Sequence, residues 1–438
     1  MRRLAPIGSG RIRAAVLATA AFFGDPLAAR AADRTSLAEP ATGVERAEGN
    51  GPQDTSSLRQ DSLLPVSLTA SLTGVAQQVN GGGSASGQPQ SRLNGRADMT
   101  VTLPLATSER AENTLFAHVR AGHGRGVSLR PTFTSTTNST GFDTDGHDDG
   151  YAIVAQAWYQ LAIPLQMNAG ANAGYERIEI TAGKIDPFAF FDQNAIADDE
   201  TMRFLNNAFV HNPLLDSGGD AGIDTYGFAP GIRIAYTRGT VETGRWAASI
   251  GVFGSGPGAH FSGPFADRFF IAQLEGTQPS PAGAGTYRLY GWRNARSTDF
   301  QGISEMHSGL GFSADQPVGD GVTLFTRLAV ELHGNVRFDR AFTAGAEIAG
   351  NAWRRVDDAL AIAAAVLPAS SMYRATTVDP AVAGYHASGT ESIVEAYYRC
   401  RVATAFDLTA DAQWLRHAGG DRAAPNIWVS GVRARIGF

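Results

Sequence analysis

The sequence predicts an all-β protein: a transmembrane antiparallel β-barrel of about 16 strands, with one connection long enough to fold inward as a constriction loop. Three observations lead there. Of the 438 residues, 43% are hydrophobic and 18% charged, yet no apolar run approaches the roughly 18 residues that a spanning helix needs. From Val66 onward, segments of roughly 8 to 14 residues alternate apolar and polar side chains, the period of a strand with two different faces. Short turns and long polar loops separate these segments in alternation, and the segment number is even, as a barrel in an outer membrane requires. Backbone groups in lipid must all be paired, so a sheet there closes on itself.

The chain starts with what reads as a secretory signal over 1–31. Arg2, Arg3, Arg11 and Arg13 make a basic region, Ala14 to Phe23 an apolar stretch, and Ala29-Arg30-Ala31 a small-residue cleavage site. Its removal takes away five Arg and one Asp and leaves 31 basic against 41 acidic residues, a net charge of −10. That sign excludes a nucleic-acid binder. Residues 32–64 are rich in Ala, Glu, Gly and Ser without periodicity, which predicts an extended or disordered arm before a barrel domain over 65–438. The single cysteine, Cys400, rules out a disulfide scaffold; an exported chain of this size without disulfides fits a bacterial envelope.

The predicted strands run in order over 66–79, 91–103, 114–122, 150–163, 175–184, 225–238, 245–254, 268–275, 286–294, 305–316, 321–333, 340–350, 358–367, 391–403, 406–416 and 426–438. Connections after even-numbered strands are mostly short, such as Gly239–Gly244 and Pro317–Asp320, and those after odd-numbered strands mostly long, such as Gly122–Asp149 and Pro368–Thr390. In the last segment Trp428, Val432, Ala434, Ile436 and Phe438 share one face, while Val429, Gly431, Arg433, Arg435 and Gly437 share the other. Aromatics near strand ends (Tyr151, Tyr159, Tyr226, Tyr236, Tyr398, Trp414 and Trp428) are expected to form interfacial girdles. Cys400 falls on the outward face, where a free thiol serves as packing.

Several segments carry a family resemblance. Gly183-Lys184-Ile185-Asp186 leads into Phe190-Phe191-Asp192-Gln193-Asn194 and Phe204-Leu205-Asn206-Asn207-Ala208. Then follow Tyr287-Arg288-Leu289-Tyr290-Gly291-Trp292, Gly311-Phe312-Ser313-Ala314-Asp315-Gln316 and Trp353-Arg354-Arg355-Val356-Asp357-Asp358. Glu395-Ala396-Tyr397-Tyr398 and Leu408-Thr409-Ala410-Asp411-Ala412-Gln413 complete the series. In this order and spacing, from about residue 65 onward, they resemble the carbohydrate-selective porin (OprB) family, and the terminal Phe438 is similar to the closing residue of outer-membrane barrels. Ala410 stands where the family often has Pro. The resemblance implies a passive bacterial outer-membrane channel for glucose-like sugars, with no cofactor and no covalent chemistry. Its partners would be small sugars and outer-membrane lipid, and an apolar outer wall is also compatible with a homotrimer.

Selectivity is expected on the inward faces and in the connection Pro187 to Asp224, which is too long for a plain turn. Within it, Asn194 to Val210 has an amphipathic, helix-like pattern through Ile196, Phe204, Leu205 and Ala208. Alternation places Glu395, Tyr397, Arg399 and Arg401 inside on the fourteenth strand, and Thr323, Phe325, Arg327 and Glu331 inside on the eleventh. The expected pore lining is Arg96, Asp98, Arg120, Trp158, Lys184, Asp192, Asn194, Trp292, Glu305, Arg327, Glu395, Arg399 and Arg433. Sugar hydroxyls both donate and accept, so opposed Arg and carboxylate groups replace their hydration shell. Binding must stay weak enough for release.

Other chemistries find little support. Asp145, His147, Asp149 and Gly150 partly match a calcium loop, but the twelfth position is Gln156 and the flanks are not helical in pattern. The Gly-rich pieces Gly122–Gly126 and Gly254–Gly258 lack a following helix. No G-x-S-x-G, H-E-x-x-H or C-x-x-C motif occurs. A general diffusion porin of the same fold and an outer-membrane barrel hydrolase remain the competing readings.

Overall fold

The computed structural model describes residues 66–105, 111–134, 136–141, 149–165, 176–379, 381 and 384–438. The signal segment, the arm at 32–64, and Asp145 and His147 of the calcium-like stretch lie outside the described residues. Sixteen strands form a closed barrel in which each strand pairs with its sequence neighbours and the first pairs with the last. They are β1 Ser67–Val79, β2 Gln90–Pro104, β3 Glu112–His123, β4 Gly150–Pro164, β5 Glu176–Ile185, β6 Ala229–Thr240, β7 Gly244–Gly254 and β8 Arg268–Gln278. Then come β9 Gly285–Thr298, β10 Ser304–Gly319, β11 Val322–His333, β12 Arg340–Ala349, β13 Ala359–Pro368, β14 Thr390–Ala403, β15 Phe406–Arg416 and β16 Ile427–Gly437. The seam is antiparallel from Ser71 opposite Gly437 to Val79 opposite Val429.

The period-two pattern positions the side chains as expected. On β16, Trp428 and Val432 are exposed on the outer wall while Val429 and Arg433 are buried inside. On β11, Leu324, Leu328 and Val330 face out, and Phe325, Arg327 and Ala329 face in. Inside, β13 carries four small residues in succession, Ala359, Ala361, Ala363 and Ala365, before Leu367, all buried. Beside it, a Cβ at Gly345 of β12 would meet the Phe325 ring at 2.5 Å. This stretch of wall is thin enough to admit a second layer of side chains.

That layer is the connection between β5 and β6. Phe188, Phe191, Ile196, Phe204, Leu205, Phe209, Val210, Leu214 and Leu215 are buried, and most share one apolar core with inward residues of the wall. Phe204 packs against Phe325 of β11 and Tyr397 of β14, with ring centroids 5.8 and 5.0 Å apart. The connection therefore folds inward.

Four expectations need correction. The helix-like stretch Asn194–Val210 holds only one helical turn, Asn207–Val210. Side chains of Asn194, Asp199 and Asn206 accept hydrogen bonds from the backbone two residues on, at Ile196, Thr201 and Ala208, and such local bonds compete with helix. The sixth strand starts at Ala229 rather than 225, because Asp224 Oδ1 accepts the amides of Tyr226 and Phe228 and holds a turn. Tyr151 and Tyr226 are not girdle residues: their rings pair at 5.1 Å and both border the lumen region. A bulge causes the change on β4, where Val154 and Gln156 take successive partners on β3, so Tyr151, Ala155 and Gln156 all turn inward. Finally, Gly254–Gly258 leads into a short 3-10 turn, Gly256–His260.

Of the remaining girdle residues, Tyr159 is exposed and donates to Asn113 Oδ1, and the other four face out in aromatic pairs. Tyr236 meets Trp246, Tyr398 meets Trp353, and Trp414 meets Trp428, with centroids 5.1, 6.1 and 6.1 Å apart. Cys400 on the outer wall is partly exposed and lies 3.1 Å from Arg355 Nη2.

Candidate functional site

A cavity of about 1220 Å³ runs inside the barrel. Its lining includes Thr404, Ala405 and Gly437 at the short-turn end and Arg125, Arg130 and Arg337 at the long-loop end. The space is thus continuous from one rim to the other. One side is the wall of β1 to β3 and the ends of β14 to β16; the other is the inner face of the 186–228 connection.

The wall is basic and organised by one carboxylate. On β2, residues two apart point the same way, which places Asn94, Arg96 and Asp98 inside. Asp98 lies opposite Arg120 of β3. It accepts hydrogen bonds from Arg96 Nε at 2.8 Å, His118 Nε2 at 2.8 Å and Arg120 Nε at 2.7 Å. Arg96 also pairs with Glu200 of the connection. Arg125, Arg130, Arg337, Arg401 and Arg435 continue the basic lining toward the rims.

The connection is acidic on its cavity side, through Asp186, Asp198, Asp199, Glu200 and Asp216. Burial pushes the carboxyls of Asp186 and Asp198 up. Asp199 is held low instead: burial opposes its charge, but hydrogen bonds from Thr201 outweigh it. His211 stacks on Phe188 at 4.0 Å and lies 2.6 Å from Asp216 Oδ2. Burial disfavours its charge, yet the Asp216 bond and the carboxylates of Asp216, Asp186 and Asp198 raise it to about 9. Its protonation therefore contributes stability that is complete below the ordinary histidine value near 6.5 and lost as pH rises through about 9. Amide protection over 207–216, corrected for intrinsic exchange, is expected to fall across that window in the native protein and to show no such step in His211→Gln.

The opposite face of the connection is bound to the wall. Asp192 takes Tyr290 Oη at 2.6 Å and Arg327 Nε at 3.0 Å on Oδ1, and the Asn212 amide at 2.6 Å on Oδ2. Arg327 also donates to the carbonyls of Asp192, Ala197 and Phe209 at 3.0, 2.7 and 2.7 Å. Glu395 accepts the amides of Leu205 and Asn206, and Arg433 donates to the carbonyls of Glu200 and Arg203. Asn194 reaches Ser313 Oγ and the Ala314 carbonyl. Trp292 Nε1 donates to Asp220 at 2.7 Å.

The 13 residues chosen by alternation and resemblance therefore fall in different places. Arg96, Asp98 and Arg120 border the cavity. Asp192, Asn194, Trp292, Arg327, Glu395 and Arg433 join the connection to the wall. Lys184 lies 3.4 Å from Asp224 and 5.5 Å from the centre of the Phe228 ring. Trp158 stacks on Phe116 at 4.7 Å, Glu305 binds Asn335, and Arg399 is half-buried on β14. Arg125, Arg130 and Arg337 escaped sequence reasoning because they sit on loops, where no alternation applies; Arg401 and Arg435 did show an inward phase.

The Gly183-Lys184-Ile185-Asp186 segment now has a physical account. Gly183 has φ +149, and a Cβ there would lie 2.2 Å from the Ala157 carbonyl oxygen. Ile185 is fully buried, and Asp186 caps the following turn through the Phe188 amide. Gly183→Ala is expected to destabilise the barrel by about 1–3 kcal/mol from the backbone alone, read as a lower temperature of unfolding in heat-modifiable gel migration.

A closed ring of 16 strands whose lumen is crossed by one charged cavity defines a porin-type channel rather than an enzyme. The family model described as carbohydrate-selective porin, OprB family, matches residues 92–438, and the chain belongs to that family. Among solved structures it is similar to Pseudomonas putida OprB in its high-pH form, at 15% identity and a TM-score of 0.67, covering 85% of this chain and 94% of that one. It also matches the outer membrane channel DcaP of Acinetobacter baumannii at 10% identity and a TM-score of 0.49, covering 85% and 97% of the two chains. No curated protein matches the chain.

Proposed function

We propose that the protein gives small sugars a passive, selective path across the bacterial outer membrane, with the 186–228 connection narrowing that path. The observation that carries this reading is the cavity itself, continuous between the rims and bounded by arginines on one side and carboxylates on the other. Opposed charges of this kind orient a dipolar, neutral solute and exchange hydrogen bonds with its hydroxyls as it moves. Many modest contacts along the wall favour passage over retention. Membership of the family supports carbohydrate as the solute class, and the apolar outer wall with its aromatic pairs supports integral insertion in lipid.

Single-channel conductance in a planar bilayer, titrated with glucose, a disaccharide and an amino acid, tests the reading. Saturable block by sugars alone is the expected result. Conductance without block would make this a general diffusion channel, and absence of conductance would overturn the channel reading.

A further inference from the structure

At the far end of the connection, Asp220 meets His307 of β10 and Glu331 of β11. One donor atom from each lies within 4.8 Å of the others. Asp220 and His307 are buried, and His307 Nδ1 is 2.7 Å from Asp220 Oδ1. Two further buried atoms, His307 Nε2 and Glu331 Oε2, have no hydrogen-bond partner, although Glu305 Oε1 stands 3.4 Å from that Nε2. Among the described residues no Arg or Lys pairs with Asp220, Glu305 or Glu331; the only ion-pair partner of Asp220 and Glu305 is His307.

This arrangement is short of one positive charge. Elsewhere in the lumen buried carboxylates meet guanidinium groups, as Asp192 meets Arg327 and Glu179 meets Arg233, or converging backbone amides, as Glu395 and Glu391 do. Here the carboxylates converge on an imidazole, and buried polar atoms without partners are costly. A histidine nitrogen and two carboxylate oxygens within 4.8 Å of one another, one of the carboxylates keeping an unpartnered oxygen, are what a coordinated cation satisfies. One nitrogen with carboxylate oxygens suits a first-row divalent ion such as Zn²⁺ better than Ca²⁺ or Mg²⁺, which take all-oxygen sets.

We propose that Asp220, His307 and Glu331 bind one such divalent cation, which ties the connection to β10 and β11. The ion is structural in this reading, since Asp220 belongs to the connection and the other two to the wall. It is independent of which solute the channel carries.

Equilibrium dialysis of the chelator-stripped, detergent-solubilised full chain against Zn²⁺ tests the site, with metal counted by mass spectrometry. One equivalent per chain is expected, with binding weakened at least tenfold in His307→Gln and in Glu331→Gln and unchanged in His386→Gln, whose histidine is exposed. Heat-modifiable migration reports whether each variant is folded. A zinc-edge absorption spectrum of the native protein, independent of any variant, is expected to show nitrogen and oxygen neighbours from protein. No stoichiometric Zn²⁺, equal binding in both folded variants, uptake of Ca²⁺ in preference to Zn²⁺, or a shell of water alone would overturn the proposal.

Discussion

Arg327→Ala is expected to raise single-channel conductance while leaving the barrel closed. The side chain is 1% exposed and donates to one carboxylate and three carbonyls, all in the 186–228 connection. Its removal leaves Asp192 buried beside Tyr290 and Asn212 with no cation. Breaking a buried pair in this way costs about 3–5 kcal/mol, enough to lower the docking equilibrium constant of the connection about a hundredfold or more. The strands keep their ladder hydrogen bonds, so heat-modifiable migration is expected to persist while proteolysis within 186–228 accelerates. Arg327→Lys is expected to fall short of rescue, because an ammonium cannot serve a planar fork of acceptors. Native conductance together with native protease resistance in Arg327→Ala would show that the connection docks without this residue.

The second large effect concerns charge at the cavity wall. Asp98→Asn is expected to shift ion preference toward anions by several-fold, measured as reversal potential in a salt gradient. Asp98 pairs with Arg96 and Arg120 and accepts a hydrogen bond from His118, and Arg96 also pairs with Glu200. A unit charge about 6 Å from a passing ion is worth roughly 0.7 kcal/mol in water and about 3 kcal/mol at an effective dielectric of 20. The sign favours anions because the substitution removes negative charge and leaves the guanidinium groups in place. An unchanged reversal potential would mean that permeating ions do not pass this wall.

Much of the barrel was legible in the chain, and the reason is periodicity. A strand that separates lipid from lumen alternates with a period of two, so Leu324, Arg327 and Leu328 could be assigned to faces directly. The bulge at Ala155–Gln156 broke that rule and moved Tyr151 from an expected girdle to the lumen. The path of the connection was less legible. Its apolar residues looked helical, but they are buried by packing into the wall next to the alanines of β13, and Asn and Asp side chains take the local amides. The same docking separates inward residues into two groups: Arg96 and Asp98 keep access to the cavity, while Arg327, Glu395 and Arg433 are covered. Alternation reports only that a side chain points inward, and what it meets there depends on a segment far away in sequence.

The β1–β16 seam has a consequence for the order in which the molecule is made. Ser71 must find Gly437, and Val79 must find Val429, so ring closure is the longest-range contact in the barrel and among the slowest kinds to form. Until it forms, two strands present bare edges, which lipid does not tolerate and which invite pairing with other chains. The ring therefore cannot be laid down in the bilayer one hairpin at a time; its two edges must be shielded together until they meet.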